Sequence, residues 1–352
     1  MTAHDLFLLS FGEAPQAVQT TPGRVNLVGE HTDYNGGMVL PMAINPHVDI
    51  AISIGPPGRA SIASAQFETA SERRLDERAN GDWSDYVLGA LRTYAETFGW
   101  RVAIDSQIPH GSGLSSSAAI TVGVIKAAGK LVGDKLHDDA RKIARAAQSV
   151  ENDFIGVPCG IMDQMAVAVL NAGECMMLDT QTLDFDAVSI PPAWRFVVHH
   201  SGVYRRLNEG RYADRQAECE SAALKLGGKP LCSYDLVSLE AASLSDLERR
   251  RARHVISENL RVPAARSAIL SEDAPLFGRL MDDSHASMRD DFSITTSTID
   301  KIVSVARSSG AFGSRMTGGG FGGCVVSLVL ACELDAWRKR FERAAPMVRF
   351  VC

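Results

Sequence analysis

Residues 313–328 read GSRMTGGGFGGCVVSL. Gly318, Gly320 and Gly323 match the spacing G-x-G-x-x-G. In a dinucleotide-binding fold that pattern follows a strand and opens a helix. Here it runs into CVVSLVL at 324–330, a β-branched apolar run that reads as a strand. The glycines therefore precede a strand, and a doubly wound nicotinamide dehydrogenase is demoted. A loop of bare glycines suits close approach to a backbone or a ligand. Tight loop packing inside the fold is the plain alternative.

Working outward, strands and helices intermix without regular alternation. Residues 47–54, HVDIAISI, place Val48, Ile50, Ile52 and Ile54 on one face of a half-buried strand. Strands are also expected at 38–44, 59–65, 101–106, 194–200 and 347–351. Val87, Leu91, Tyr94 and Phe98 lie at helical spacing and predict a helix over 85–98. Further helices are expected at 118–132, 138–152 and 162–170, with several charged ones between 209 and 309. Residues 180–192 read as turns and end in Pro191-Pro192, a plausible boundary. The pattern favours an α+β fold over a doubly wound sheet.

The 352 residues suggest about two domains. Hydrophobic residues make up 45% and charged residues 22%, which argues against wholesale disorder. The net charge of −6 makes nucleic acid a poor partner. No run approaches the ~18 apolar residues of a membrane span. Residues 1–10 have no basic n-region, which argues against a signal peptide. Seven scattered cysteines form no CxxC pair and fit reduced thiols in a cytoplasm.

Three other segments ask for a chemical explanation. Residues 22–41, PGRVNLVGEHTDYNGGMVLP, pack Arg24, Glu30, His31, Asp33, Tyr34 and Asn35 among four glycines. Carboxylates accept from hydroxyls and imidazole can do either, so the set suits a polyol such as a sugar. A solvated hairpin loop around Asn35-Gly36 is the plain reading. A metal at His31-x-Asp33 finds no third ligand with suitable spacing. Residues 108–119, IPHGSGLSSSAA, feed a glycine-rich turn into a helix expected from Ala118. Such a turn aims backbone N–H groups and a positive dipole end at one point, as a phosphate site does. A serine-capped helix is the alternative, although three adjacent serines exceed what one cap needs. Neither a Walker A loop nor a nucleophile elbow is present. Finally, CGIMDQ at 159–164 puts Asp163 in the first turn of a helix, where an aspartate is often only a cap.

In this order, the four segments resemble the GHMP family of small-molecule kinases, and the galactokinase branch within it. GRVNLVGEHTDYNGG resembles the sugar signature of that branch, HGSGLSSSAA the ATP loop, CGIMDQ the segment of the catalytic aspartate, and MTGGGFGGC the C-terminal motif. The resemblance implies a two-lobed fold. Residues 1–190 would form an N-terminal lobe with a left-handed βαβ crossover, and residues 191–352 a ferredoxin-like C-terminal lobe. It also implies transfer of phosphate from ATP, with Mg²⁺, to the 1-hydroxyl of galactose. A galactose derivative (N-acetylgalactosamine, arabinose, a uronic acid) is the nearest alternative substrate, and a non-catalytic sugar sensor the next reading. Asp163 would accept the hydroxyl proton and orient the sugar, and Arg24 would lie beside the transferring phosphoryl group. Glu30, His31, Asp33 and Tyr212 would bind the sugar. Gly111, Ser112, Gly113, Leu114, Ser115, Ser116 and Ser117 would wrap the ATP phosphates, with Trp83 and Tyr86 flanking adenine. Ser117 and Glu151 would hold Mg²⁺. A monomer or weak dimer is expected. The chain departs from the family at 201–212, SGVYRRLNEGRY, at His110 in the ATP loop, and in ending at Cys352.

Overall fold

The computed structural model describes residues 1–94, 98–203 and 210–352. Contacts divide the chain into two compact units. One comprises Met1–Arg24, Ala43–Pro109 and Ser115–Ala172, and the other Val25–Met42, His110–Leu114 and Gly173–Cys352. The single boundary expected at residue 190 gives way to this interleaved division. Two glycine-rich loops, 25–42 and 110–114, make their contacts with the second unit although they lie early in the chain.

The first unit is built on strands β1 (Ala17–Asn26, as far as Arg24), β3 (Pro41–Gly55, from Ala43), β4 (Arg59–Ser64), β5 (Phe67–Arg74) and β6 (Gly99–Ser106). β6 runs antiparallel to β3, from Val48 opposite Ser106 to Gly55 opposite Gly99. On its other side β6 runs parallel to β4, which pairs antiparallel with β5. Val48, Ile50 and Ile52 are buried, as the alternation predicts, but Ile54 at the strand end is exposed. Ala51 on the opposite face is buried too, because helix α1 (Ala3–Phe11) lays Ala3 and Phe7 against Ala51, Ala63 and Ala103. Small residues on the sheet let that helix approach.

Helices α2 (Asp85–Leu91), α3 (Ser116–Val132), α4 (Ala140–Ser149) and α5 (Met162–Val169) complete the unit. The helix expected over 85–98 ends as α2 and a 3₁₀ turn, Arg92–Tyr94; residues 95–97 lie outside the described residues. α3 starts at Ser116 rather than Ala118. Gly123 lets α3 lie close to the sheet: a Cβ there would sit 2.3 Å from Ile50 Cδ1 and 2.8 Å from Thr21 Oγ1. α4 passes into a π-helical turn, Val150–Ile155, so Glu151 sits in a π segment and not at a plain helix end. Such turns recur at functional sites.

The second unit holds an antiparallel sheet in the order β10 (Gly313–Thr317), β11 (Cys324–Leu330), β9 (Trp194–His200), β12 (Arg349–Phe350). Its glycine run joins β10 to β11, so it leads into a strand as the sequence predicts. Helices α6 (Arg211–Leu226), α7 (Leu236–Ala241), α8 (Asp246–Leu270), α9 (Ala274–Asp290), α10 (Ser297–Ser308) and α11 (Leu334–Ala344) belong to this unit. Val197, Val255, Phe292, Met316, Val325, Trp337 and Phe341 are among its buried core. Strand β2 (Met38–Val39) pairs with β7 (Cys175–Asp179), which pairs with β8 (Phe185–Val188). The segment 180–192, read as turns, thus contains a strand. Its short exposed alternation, Phe185 to Val188, is too brief for a periodicity signal. Part of the unusual 201–212 stretch, residues 204–209, lies outside the described residues. No helix among the described residues is long and apolar enough to cross a membrane.

Candidate active site

Asp163 stands at the second position of α5. The preceding Ile161 caps that helix without a side-chain hydrogen bond, so Asp163 is free of capping duty. Its Oδ1 instead accepts from Arg24 Nε at 2.8 Å and Arg24 Nη2 at 2.5 Å. Its Oδ2 accepts from Ser115 Oγ at 2.6 Å. Arg24 is almost wholly buried. The Asp163 side chain is partly exposed, and an ion pair with one buried and one partly exposed partner is a weak stabilising device. A guanidinium fixed on a helix-start carboxylate is better explained by chemistry than by stability.

Ser115 departs from the capping role. It precedes α3 in the left-handed region, φ +63°, and makes no side-chain cap. For a residue with a Cβ this conformation costs about 1–2 kcal/mol. Gly111, Gly113 and Ser115 alternate as left-handed residues, at φ +65°, +74° and +63°. In general, alternating left-handed residues are the backbone form of an anion-binding nest. Leu114 and Ser112 are buried, and Ser112 Oγ finds no partner among the described residues. Ser116 and Ser117 open α3.

Ser117 Oγ donates to Glu151 Oε2 at 3.2 Å, and Gln164 Nε2 donates to Glu151 Oε1 at 2.8 Å. Burial, and then the charge of Asp163, push the Glu151 carboxyl up to about 7. Gln164 Oε1 is buried without a partner among the described residues. Gln164 was not singled out from the sequence, although it follows Asp163 directly in CGIMDQ. Trp83 and Tyr86 are half-buried, not core residues. Trp83 stacks on Phe67 with ring centres 4.8 Å apart and planes 7° apart. Tyr86 is pushed up to about 12 by burial and by Glu151.

The polyol motif lies in the second unit. Glu30 is buried, with Oε2 accepting from Arg315 Nη2 at 2.7 Å and from Asn26 Nδ2 at 2.9 Å. Its Oε1 accepts the Gly318 N–H. Glu30 is therefore a buried scaffold of the loop as well as a candidate sugar ligand. The Gly318 bond also explains the glycine run as tight loop packing: a Cβ on Gly320 would sit 2.6 Å from Ile294 Cβ. His31 is left-handed at φ +62° and its Nδ1 lies 2.8 Å from the Tyr34 hydroxyl. Its ring packs on Tyr212 and Phe292, with centres 5.2 and 4.8 Å away. Asp33 is half-buried in a 3₁₀ turn, Asp33–Asn35. So the structure gathers Glu30, His31, Asp33 and Tyr212 in one unit, and Arg24, Ser115, Ser117, Glu151 and Asp163 in the other.

Three family signatures match: "Galactokinase galactose-binding signature" over residues 5–54, "GHMP kinases N terminal domain" over 85–170, and "GHMP kinases C terminal" over 265–351. A galactokinase from Roseiflexus sp. (strain RS-1) is 38% identical, over 96% of this chain and 90% of that one. The Bos taurus galactokinase is 37% identical, over 94% and 88%. The chain belongs to the galactokinase family. A crystal structure of Lactococcus lactis galactokinase complexed with galactose superposes with a TM-score of 0.88 at 30% identity, covering 99% of this chain and 95% of that one. Methanococcus jannaschii mevalonate kinase, at 22% identity and a TM-score of 0.67, shares the GHMP kinase fold, with 95% of this chain and 96% of that one covered. Within this galactokinase-family chain, the residues that the sequence left out are Gln164 and Arg315. Arg315 was legible as the lone cation in GSRMTGGG, but nothing in the sequence says that it is fully buried on Glu30.

Proposed function

We propose that this chain transfers the γ-phosphoryl group of ATP to the anomeric hydroxyl of galactose, giving α-galactose 1-phosphate and ADP. The single observation that carries the reading is the Asp163 carboxylate held by Arg24 on one oxygen and Ser115 on the other. Phosphoryl transfer is mostly positioning and charge neutralisation. Asp163 accepts a hydrogen bond from the sugar's 1-hydroxyl and takes its proton as the hydroxyl oxygen bonds to phosphorus. The bond from phosphorus to the ADP oxygen breaks in the same step. Arg24 offsets the charge on the phosphoryl oxygens. Glu30, His31, Asp33 and Tyr212 bind the remaining hydroxyls. The loop from Gly111 to Ser117 takes the phosphates on its N–H groups, and Trp83 with Tyr86 flanks adenine.

The residues present fit Mg²⁺. A buried carboxyl pushed up to about 7, a hydroxyl beside it and an unpartnered amide oxygen form a hard-oxygen set short of a cation. No group of three or more His, Cys, Asp or Glu gathers among the described residues, but Mg²⁺ on a nucleotide is held largely by phosphate and water. Glu151 and Ser117 would hold it, and it would supply charge neutralisation on the phosphates. We place the reaction in the cytoplasm, where seven cysteines without a disulfide stay reduced.

Purified protein incubated with ATP, Mg²⁺ and a panel of free sugars tests the reading. Phosphate should move to galactose, with weaker transfer to N-acetylgalactosamine, arabinose and galacturonic acid. Good transfer to another sugar with none to galactose moves the assignment to that sugar. The intact Ser115 to Ser117 loop and Asp163 speak against a non-catalytic sensor.

A further inference from the structure

We infer that His254 and Glu258, one turn apart on α8, are positioning residues that grip the Glu30 peptide from both sides and so set the sugar-binding loop. The inference rests on the proposed function for its kinetic consequence. Glu258 Oε1 accepts the N–H of Gly29 at 2.9 Å and of Glu30 at 3.2 Å. His254 Nε2 bonds the Glu30 carbonyl at 3.1 Å. A carbonyl only accepts, so Nε2 carries the proton and Nδ1 accepts from the Ser287 hydroxyl, 2.9 Å away. The peptide planes before and after Glu30 are thereby both fixed. The second of them leads directly into His31, whose left-handed backbone needs such support.

The same helix continues the grip. Asn259 Oδ1 accepts the N–H of Met38, at the far end of the loop. The His254 ring also packs on Phe292, with centres 4.3 Å apart, and Phe292 supports the His31 ring. One face of α8 thus touches the backbone beside His31 and, through Phe292, its side chain.

A plain helix-to-loop contact would not call for this chemistry. Glu258 and His254 are both wholly buried, and a buried carboxylate is costly unless paired and hydrogen-bonded. Glu258 meets that requirement with Arg261 Nη1 at 2.7 Å and Ser284 Oγ at 2.6 Å. Although burial alone would raise it, the charges of Arg315 and Arg261 hold its carboxyl at about 2. The result is a permanent anion aimed at two backbone N–H groups. Neutral packing would have filled the space with less desolvation, and would not have oriented a peptide.

The test compares wild type with Glu258→Ala, Glu258→Gln and His254→Ala by steady-state kinetics and by amide hydrogen exchange without sugar. Glu258→Ala should raise KM for galactose by about tenfold or more, leave KM for ATP within about twofold, and speed exchange at Gly29 and Glu30. Glu258→Gln keeps an acceptor oxygen and should recover most of the sugar KM. His254→Ala should show the same loop-specific pattern, and serves if Glu258→Ala does not fold. Equal rises in both KM values, or faster exchange throughout α8, would make these residues stability elements and overturn the inference. So would an unchanged sugar KM with a loosened loop. A wild-type protein that leaves galactose untouched sinks the proposed function alone, since exchange at Gly29 and Glu30 reads the grip without sugar.

Discussion

Ser115 donates its hydroxyl to Asp163 at 2.6 Å and leaves the helix it precedes without a side-chain cap. A serine in a capping position has been turned, at the cost of a left-handed backbone, towards a carboxylate 48 residues away. With Arg24 on the other oxygen, the carboxylate plane is fixed before any sugar arrives. Pre-set orientation of this kind is what phosphoryl transfer requires of a protein.

Removing the hydroxyl should slow the chemistry without harming the fold. Ser115→Ala and Ser115→Gly should each lose about tenfold in kcat, because one hydrogen bond that aims Asp163 is gone. Glycine accepts the left-handed backbone freely, so the glycine variant should unfold at higher urea, by about 1 kcal/mol relative to alanine. Equal stability of the two, or an unchanged kcat, would contradict the role given to this serine.

Arg24→Ala should lower kcat by about 10²–10³ while changing galactose affinity only a few-fold, since a charge realised in the transition state is lost. Arg24→Lys should restore part of the rate only, because an ammonium cannot place two N–H groups on one oxygen. Titration calorimetry beside turnover measurements separates the two effects. A large loss of sugar binding with kcat intact would make Arg24 a binding residue.

Trp83→Ala should raise KM for ATP by about tenfold and leave the galactose KM alone, given the ~1–3 kcal/mol typical of a base stacked on an aromatic ring. The parallel stack of Trp83 on Phe67 already holds the indole in one plane. A rise confined to the galactose KM would remove Trp83 from the nucleotide site.

Acid should loosen the sugar loop. Burial holds His254 at about 4, below its usual 6.5, and it faces Glu258, Arg261 and Arg315 as well as Ser287. The unfolded chain therefore takes a proton there before the folded one does. Stability is fully present above pH 6.5 and is lost as pH falls towards 4, by at most about 3 kcal/mol from this group. Glu258, held at about 2, adds a loss of the same sign below pH 4.5. His199, at about 3, and His285, at about 4, act in the same direction by burial. Urea unfolding of His254→Gln should show a flatter slope between pH 6.5 and 4 than the wild type does. Parallel slopes would show that His254 titrates alike in both states.

Much of the candidate site could be read in the chain because its chemistry is local. The segments around Arg24, Ser115 and Asp163 each carry an odd concentration of glycine and polar residues, and strand 194–200 was bounded by its apolar run. The direction of the glycine run, into β11, was legible for the same reason. What stayed hidden depends on burial. RRRARHVISENLRV reads as part of a charged amphipathic helix, and that pattern does not tell that His254 and Glu258 are sealed in the second unit. Glu30 read as a ligand, and Arg315 with Gly318 shows it is also scaffold. The interleaved division of the chain could not be seen either: the glycines of 25–42 and 110–114 mark these segments as loops, but not which unit they pack with.

Asp163→Asn tests the central claim most directly. It keeps the size of the side chain and removes the charge to which the proposed function gives the hydroxyl's proton. Galactose binding by calorimetry should stay within a few-fold of the wild type, while the ³¹P signal of galactose 1-phosphate formed from ATP should appear at least about 10²–10³ times more slowly. Turnover at the wild-type rate in that variant would mean that this carboxylate does not serve the transfer.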